Sequence, residues 1–241
     1  NRQTLEALDA AFAEAAAAAD VRVVVLTGAG AKAFVAGADI AEMAALDEPK
    51  ARRFISNLRD LCNAVRHFPV PVIARIPGWC LGGGLEMACC CDIRIASSKT
   101  KLGVPEINLG LLPASGGMHR IPKLIGLSRA LEMMYTGRQI PAEEAYQIGL
   151  INRVCEPGTV KENAFELAKL LATKPPKPLR MIKRFVNENA FRPNEDCFRK
   201  NMAYIDELYE DYNAMEGIKA FLEKRPPQFC YDEEEILADD N

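Results

Sequence analysis

Apolar residues in the first part of the chain switch between helical and strand-like spacing. Leu5, Leu8 and Phe12 recur at helical intervals and predict a helix over residues 2–19. The β-branched and apolar run at residues 21–26 then predicts a buried strand that ends at the glycines following it. Helix and strand patterns are therefore interleaved from the start of the chain.

The same alternation continues through the next segments. A one-sided apolar face predicts a helix over residues 50–67, and short apolar runs predict strands over residues 72–76 and 93–96. Residues 81–84 lead into another helix, and residues 100–104 are expected to be extended. This repeated order of strand, turn and helix predicts an α/β fold built from stacked turns of structure.

Helical patterns dominate the second half of the chain. Pro141 is expected at the first position of a helix, where its missing N–H does no harm. Residues 173–178 contain three prolines and are predicted to be a linker, followed by two helices, the second over residues 195–223. The chain is thereby divided into a core of residues 1–178 and a C-terminal helical region of residues 179–241.

The composition is that of an ordinary globular protein. The chain has 241 residues, of which 49% are hydrophobic and 26% charged, enough for one domain with a sizeable core. Its formal net charge of -3 does not favour nucleic acid or an anionic membrane as a partner. No apolar stretch is long enough to cross a bilayer. The eight cysteines lack metal-binding spacing, so buried free thiols are predicted.

Three consecutive glycines at residues 82–84 open the helix that carries Glu86. Glycines at a helix start let another group approach the backbone closely and present unpaired N–H groups at the positive end of the helix dipole. This is a candidate oxyanion site, although the glycines alone are also compatible with a tight, closely packed turn. A second backbone donor is expected in residues 34–40, where Asp39 could equally be an ordinary helix cap.

Two glutamates follow this glycine turn in the sequence. Glu86 lies in the first turn of the helix, and Glu106 follows Pro105 in a predicted loop after the next strand. Each has an ordinary interpretation, because Glu86 could stabilise the helix dipole and Glu106 could be a solvated loop carboxylate. Together they predict a pair of carboxylates for acid–base chemistry beside an oxyanion site.

Other motifs give weaker signals. The sequence from Thr27 to Gly30 lacks the third glycine of a dinucleotide-binding turn. Ser115 and His119 have no acidic partner placed by the sequence, so a serine-type triad is not expected.

These segments resemble the crotonase (enoyl-CoA hydratase/isomerase) superfamily, and most closely the enoyl-CoA hydratases. The similarity covers nearly the whole chain. The matching motifs lie at residues 36–40, 77–86, 91–94, 105–110, 113–117 with Arg120, 136–137, 142–149 and 223–225. The resemblance implies a spiral of ββα repeats, with an N-terminal strand segment upstream of Asn1 and C-terminal helices that assemble trimers or dimers of trimers.

The resemblance also implies roles for particular residues. The N–H groups of Ala38 and Gly83 would hold a thioester oxygen, and Glu86 and Glu106 would be the catalytic pair. The further residues implied to contact CoA or substrate are Ala36, Asp39, Ile40, Gly82, Ala114 and Lys224. Many hydratases have glycine where this chain has Ala114, whose methyl group would narrow the site of the catalytic water. Lys224 is similar to a lysine that approaches a CoA phosphate in some relatives.

The activity implied is addition of water across the 2,3 double bond of an enoyl-CoA thioester, giving a 3-hydroxyacyl-CoA. An enoyl-CoA isomerase and a hydratase of branched or aromatic acyl groups, such as methylglutaconyl-CoA, stay open as alternatives. An RNA-binding relative is a third; its only support is the cationic cluster within residues 50–59. No metal or redox cofactor is expected, since coenzyme A is part of the substrate, and the expected location is the cytoplasm, or the mitochondrial matrix in a eukaryote.

Overall fold

Two four-stranded sheets form the centre of the protein in the computed structural model, which describes residues 1–44, 48–189 and 212–230. The strands are β1 (Val24–Thr27), β2 (Ala33–Val35), β3 (Val72–Ile76), β4 (Trp79–Leu81), β5 (Ile93–Ser97), β6 (Lys101–Gly103), β7 (Ile140–Pro141) and β8 (Arg153–Cys155). The first sheet has the order β1-β3-β5-β8, and the second has the order β2-β4-β6-β7.

Helices follow the strands in a regular order. They are α1 (Arg2–Ala17), α2 (Ile40–Ala44), α3 (Glu48–Arg66), α4 (Gly83–Ala88), α5 (Gly117–Ile125), α6 (Leu127–Thr136), α7 (Ala142–Gln147), α8 (Val160–Ala172), α9 (Pro176–Asn189) and α10 (Tyr212–Leu222), with a 3-10 helix at Pro105–Leu109. None of the helices in the described part of the chain is long and apolar enough to span a bilayer.

Each turn of the chain contributes one strand to each sheet before a helix returns it to the start of the next turn. Thus β1, β3 and β5 are parallel neighbours in the first sheet, and β2, β4 and β6 are parallel neighbours in the second. The pairs Val24 with Val72 and Ile73 with Ile93 fix the register. This arrangement confirms the predicted spiral of ββα repeats.

The core lies between the sheets and the helices that cover them. Val72, Ile73 and Ile76 of the inner strand β3 are fully buried, as expected of a parallel strand with neighbours on both sides. Phe12 of α1 meets Phe68 edge to face at 5.2 Å between ring centroids, so the first helix is anchored on the end of α3. Six of the seven described cysteines are free and buried, as predicted.

The structure corrects several local predictions. The strands β2 and β4 were not predicted, because each is three residues long and depends on pairing with a distant segment. Glu106 lies in a 3-10 helix instead of a loop, and Pro141 precedes α7 as its cap. The predicted linker is partly helical, since α9 begins at Pro176. Of the helix predicted over residues 195–223, residues 195–211 lie outside the described part of the chain.

Candidate active site

The glycine turn joins β4 directly to α4. Gly82 has a φ of 55°, a left-handed conformation that glycine adopts without strain, and α4 begins at the next residue. A Cβ on Gly84 would overlap the carbonyl oxygen of Val35, so only glycine lets α4 approach β2 this closely. The turn is therefore closely packed and starts a helix, as expected, and the oxyanion role of the glycines stays a prediction.

Ala38 and Gly83, the two predicted amide donors, lie beside this turn and line the same cavity. The N–H groups of Ala38 and Gly83 donate no hydrogen bond to the residues that the structure describes, and both residues line one cavity of about 280 Å³. A Cβ placed on Gly82 would lie 3.8 Å from the Cα of Gly37, which shows how closely the two loops approach. Asp39 caps α2, since its Oδ1 accepts the Ala41 and Glu42 N–H groups at 3.1 and 3.2 Å.

Glu86 is buried on the first turn of α4, with 2% of its surface exposed. Its Oε1 accepts a hydrogen bond from the Gly117 N–H at 2.7 Å. Burial raises the pKa of Glu86 to about 7, and the nearby Glu106 adds to this effect. The backbone donors of Gly117 and Ser115 and the charge of Arg120 act in the opposite direction. Glu86 can therefore exchange a proton near neutral pH.

Glu106 approaches the same turn from the second sheet. The 3-10 helix begins just after β6, the neighbour of β4, which brings the carboxylate to Gly82. A Cβ on Gly82 would lie 2.9 Å from Glu106 Oε1, and Oε2 is buried without a hydrogen-bond partner among the described residues. Burial raises the pKa of Glu106 as well. Two carboxylates with raised pKa values thus flank residues 82 and 83.

The cavity that Ala38 and Gly83 line is apolar. Its walls come from α1, α3, α4 and the strands β1 and β2, and no side chain that lines it among the described residues carries a charge. Leu58 lies directly over the glycine turn, because a Cβ on Gly83 would meet its Cδ2 at 3.0 Å. Phe54 and Met87 complete the wall beside Leu58. This apolar lining suits a short apolar group attached to a ligand that binds at the Ala38 and Gly83 amides.

The remaining predicted residues lie around this centre or away from it. Ala36, Asp39 and Ile40 are exposed next to the Ala38 amide, and Ala114 is exposed two residues before Gly116. Lys224 is exposed, has a φ of 53° and is not among the residues that line the cavity. In the described ranges, no cluster of three or more His, Cys, Asp or Glu side chains could hold a metal ion.

The sequence analysis did not assign a role to three residues of this site. Gly117 was part of a matching motif, yet its N–H bond to Glu86 joins residues 31 positions apart. Phe54 and Leu58 were predicted as an apolar helix face, and they line the cavity instead of only filling the core. For Gly117, the available sequence signal was the pair of glycines at 116 and 117. For Phe54 and Leu58, no sequence signal distinguishes a residue that lines a cavity from one that fills the core.

The raised pKa of Glu86 predicts a pH-dependent gain in stability when this residue is replaced. A carboxyl whose pKa is about 7 in the folded state and 4.5 ordinarily binds protons more tightly when folded, so stability falls as pH rises between these values. Glu86→Gln removes this penalty. In urea unfolding, the difference in free energy of unfolding between Glu86→Gln and the wild type should be about 2 kcal/mol more favourable to the variant at pH 8 than at pH 5.

An exposed glutamate supplies the control for this measurement. Glu166 lies on the surface of α8, and Glu166→Gln should change stability equally at both pH values. A Glu86→Gln variant that follows the control at both pH values would contradict the assigned burial penalty.

A spiral of ββα repeats with two largely parallel sheets, a glycine turn opening a helix, and a buried Glu86 paired with a half-buried Glu106 are typical of a crotonase-like α/β enzyme. A family model described as Enoyl-CoA hydratase/isomerase matches residues 1–232. The chain belongs to the enoyl-CoA hydratase/isomerase family, which confirms the resemblance read from its motifs.

Individual relatives agree with this assignment. The chain is 35% identical over 225 residues to the short-chain-enoyl-CoA hydratase of Clostridium acetobutylicum, which covers 93% of this chain and 86% of that protein. It is 37% identical over 209 residues to the crotonyl-CoA hydratase of Syntrophomonas wolfei, covering 87% and 80%. The crystal structure of an enoyl-CoA hydratase from Bacillus anthracis superposes with a TM-score of 0.92 at 37% identity, covering 96% and 90%. These findings support an enoyl-CoA hydratase.

Proposed function

We propose that this chain hydrates short, unbranched 2-enoyl-CoA thioesters to 3-hydroxyacyl-CoA. The observation that carries the proposal is the pair of carboxylates, Glu86 and Glu106, flanking the turn whose Gly83 N–H lines the apolar cavity. An isomerase needs only one proton-transferring group that removes and returns the same proton. Addition of water needs two sites on one face of the substrate, which this pair can supply.

The backbone amides are the proposed oxyanion site. The thioester oxygen would lie between the Ala38 and Gly83 N–H groups, which have no acceptor among the described residues. When water adds to the β-carbon of the enoyl group, electron density moves onto that oxygen. Amides already pointing at it stabilise the developing charge without reorganisation, and one such donor contributes roughly 2.7–4 kcal/mol to lowering the barrier.

The two glutamates divide the proton transfers. Glu86, held by Gly117, accepts a proton from the attacking water as its oxygen bonds to the β-carbon. Glu106 delivers its proton to the α-carbon, where the double-bond electrons return. The transferred proton then passes from Glu86 to Glu106 and restores the starting state. The raised pKa values of both groups suit a pair that shares one proton near neutral pH.

The apolar cavity sets the class of acyl group in this proposal. The acyl chain would extend from the thioester past Leu58 and Phe54, where no lining side chain in the described ranges is charged. A second carboxylate on the acyl group, as in methylglutaconyl-CoA, would be buried there without a cationic partner, which is strongly unfavourable. Aliphatic chains of four to about six carbons would bury only apolar surface.

A panel of thioesters tests the proposal through the loss of absorbance of the conjugated enoyl group. Crotonyl-CoA and 2-hexenoyl-CoA should be hydrated efficiently, whereas 3-methylglutaconyl-CoA should react at least about 100-fold more slowly in kcat/KM. Failure to hydrate any of these substrates would refute the hydratase. Preference for the carboxylated substrate would refute the acyl class while leaving the chemistry intact.

The outer parts of the site belong to the same proposal. The backbone of Ala36, Asp39 and Ile40 lies beside the Ala38 amide and is proposed to contact CoA, as are Gly82, Ala114 and Lys224. Assembly into trimers or dimers of trimers and a location in the cytoplasm or mitochondrial matrix also remain proposals. Light scattering of the purified protein would measure its assembly directly.

A further inference from the structure

Arg120 of α5 is a buried cation that has no carboxylate partner among the described residues. Only 5% of its surface is exposed. Its Nη1 donates to the Ser115 carbonyl oxygen at 3.0 Å and its Nη2 to Asn63 Oδ1 at 2.7 Å, and both acceptors are neutral. Its Nε is buried without a partner among the described residues. A charge buried in this way is unfavourable and needs a compensating interaction.

The hydrogen bonds of Arg120 connect several segments around Glu86. Arg120 holds Ser115, and two residues later the Gly117 N–H donates to Glu86. Gly116 between them leaves space for the guanidinium, because a Cβ there would overlap Nη1. The bond to Asn63 ties the same guanidinium to α3, the helix that also carries Leu58. One side chain therefore connects the cavity wall, the loop before α5 and the donor to Glu86.

Arg120 also acts on Glu86 through its charge. The titratable groups that act on Glu86 are Glu106 and Arg120, and the buried thiols Cys62, Cys89 and Cys90 lie around it. Of these, Arg120 alone carries a positive charge. It opposes the effects of burial and of Glu106, and so favours the carboxylate form of Glu86.

We propose that Arg120 is a positioning residue that fixes the segment from Ser115 to Gly117 against Glu86, with its positive charge on the side of the carboxylate that accepts a proton from water. This inference rests on the proposed hydratase function. The bonds from Arg120 span 57 residues to Asn63 and five residues to Ser115, so the arrangement exists only in the folded protein.

The test separates the charge of Arg120 from its hydrogen bonds. Arg120→Gln keeps a donor but removes the charge, and Arg120→Lys keeps the charge. In Arg120→Gln the acidic limb of the kcat/KM profile for crotonyl-CoA should move to higher pH, so that kcat/KM at pH 6 falls below the wild-type value with KM little changed. Arg120→Lys should keep the limb near its wild-type position. An unmoved limb in Arg120→Gln would overturn the proposal, even if kcat fell uniformly.

A second variant serves if Arg120→Gln does not fold. Asn63→Asp places a carboxylate against Nη2, which neutralises the guanidinium while keeping it in place. It should move the acidic limb in the same direction, and an unchanged profile would again contradict the role of Arg120.

Carbon-13 NMR gives a readout that does not need turnover. The glutamate carboxyl signal that disappears in Glu86→Gln identifies Glu86, and its midpoint should lie at higher pH in Arg120→Gln than in the wild type. An unchanged midpoint would refute the link from Arg120 to Glu86. An inactive wild type would refute the hydratase instead, so the two failures are distinguishable.

Discussion

Glu86→Gln and Glu106→Gln should each lower kcat for hydration of crotonyl-CoA by about 10²–10⁴-fold while the protein stays folded. The amide keeps the size of the carboxylate, and Gln at residue 86 can still accept the Gly117 hydrogen bond. It cannot exchange the proton, which is the property that the buried position of Glu86 tunes toward neutral pH. The loss should therefore fall on kcat, with KM little affected.

Steady-state kinetics with the folded variants test this directly. Glu166→Gln on the exposed face of α8 is the matched control and should keep wild-type activity. The double variant should be little worse than the single ones, because two groups that share one proton act as a unit. Near-normal turnover in both single variants would remove Glu86 and Glu106 from the chemistry.

The pH dependence of hydration by the wild-type protein tests the same assignment of the two glutamates. Because burial raises the pKa of Glu86 to about 7, its carboxylate form is lost as pH falls through this value. Hydration should decline on the acidic side of about pH 7, and the apparent midpoint belongs to the pair of glutamates. Glu86→Gln should lose this acidic limb.

Gly83→Pro should lower kcat by about 10²–10³-fold, because it removes one of the two amides proposed to hold the thioester oxygen. Gly83 is the first residue of α4, a position where proline is well tolerated since the N–H has no partner within the helix. The added Cβ would meet the Leu58 methyl Cδ2 at 3.0 Å, and this flexible side chain can move; it would also lie 4.0 Å from Glu86 Oε2, an ordinary contact. The variant is therefore expected to fold.

Gly83→Ala is the control for the added Cβ, because it lacks only the proline ring that replaces the N–H. It carries the same Cβ against Leu58 but keeps the N–H. Alanine should retain most of the activity, and proline should not, with circular dichroism confirming that both are folded. Equal activity of the two variants would show that the Gly83 amide does not stabilise the transition state.

The sequence alone predicted several local features of this protein. The apolar run at residues 72–76 coincides with β3, and the glycines at 82–84 open a helix whose first turn carries Glu86, as predicted. Such features depend on neighbouring residues, which set strand and helix preferences and the need for glycine at a close turn. The short strands β2 and β4 were missed because pairing across the spiral stabilises them, and local composition does not report that pairing.

Residue order alone predicted the alternation of strand and helix, the glycine turn and the two candidate acids. Folding was needed to show that Gly117 donates to Glu86 from 31 residues away, that Arg120 donates to Asn63, and that α1 and α3 line an apolar cavity. Proton affinity and cavity shape depend on burial and on contacts between distant segments. These quantities exist only after the chain has folded.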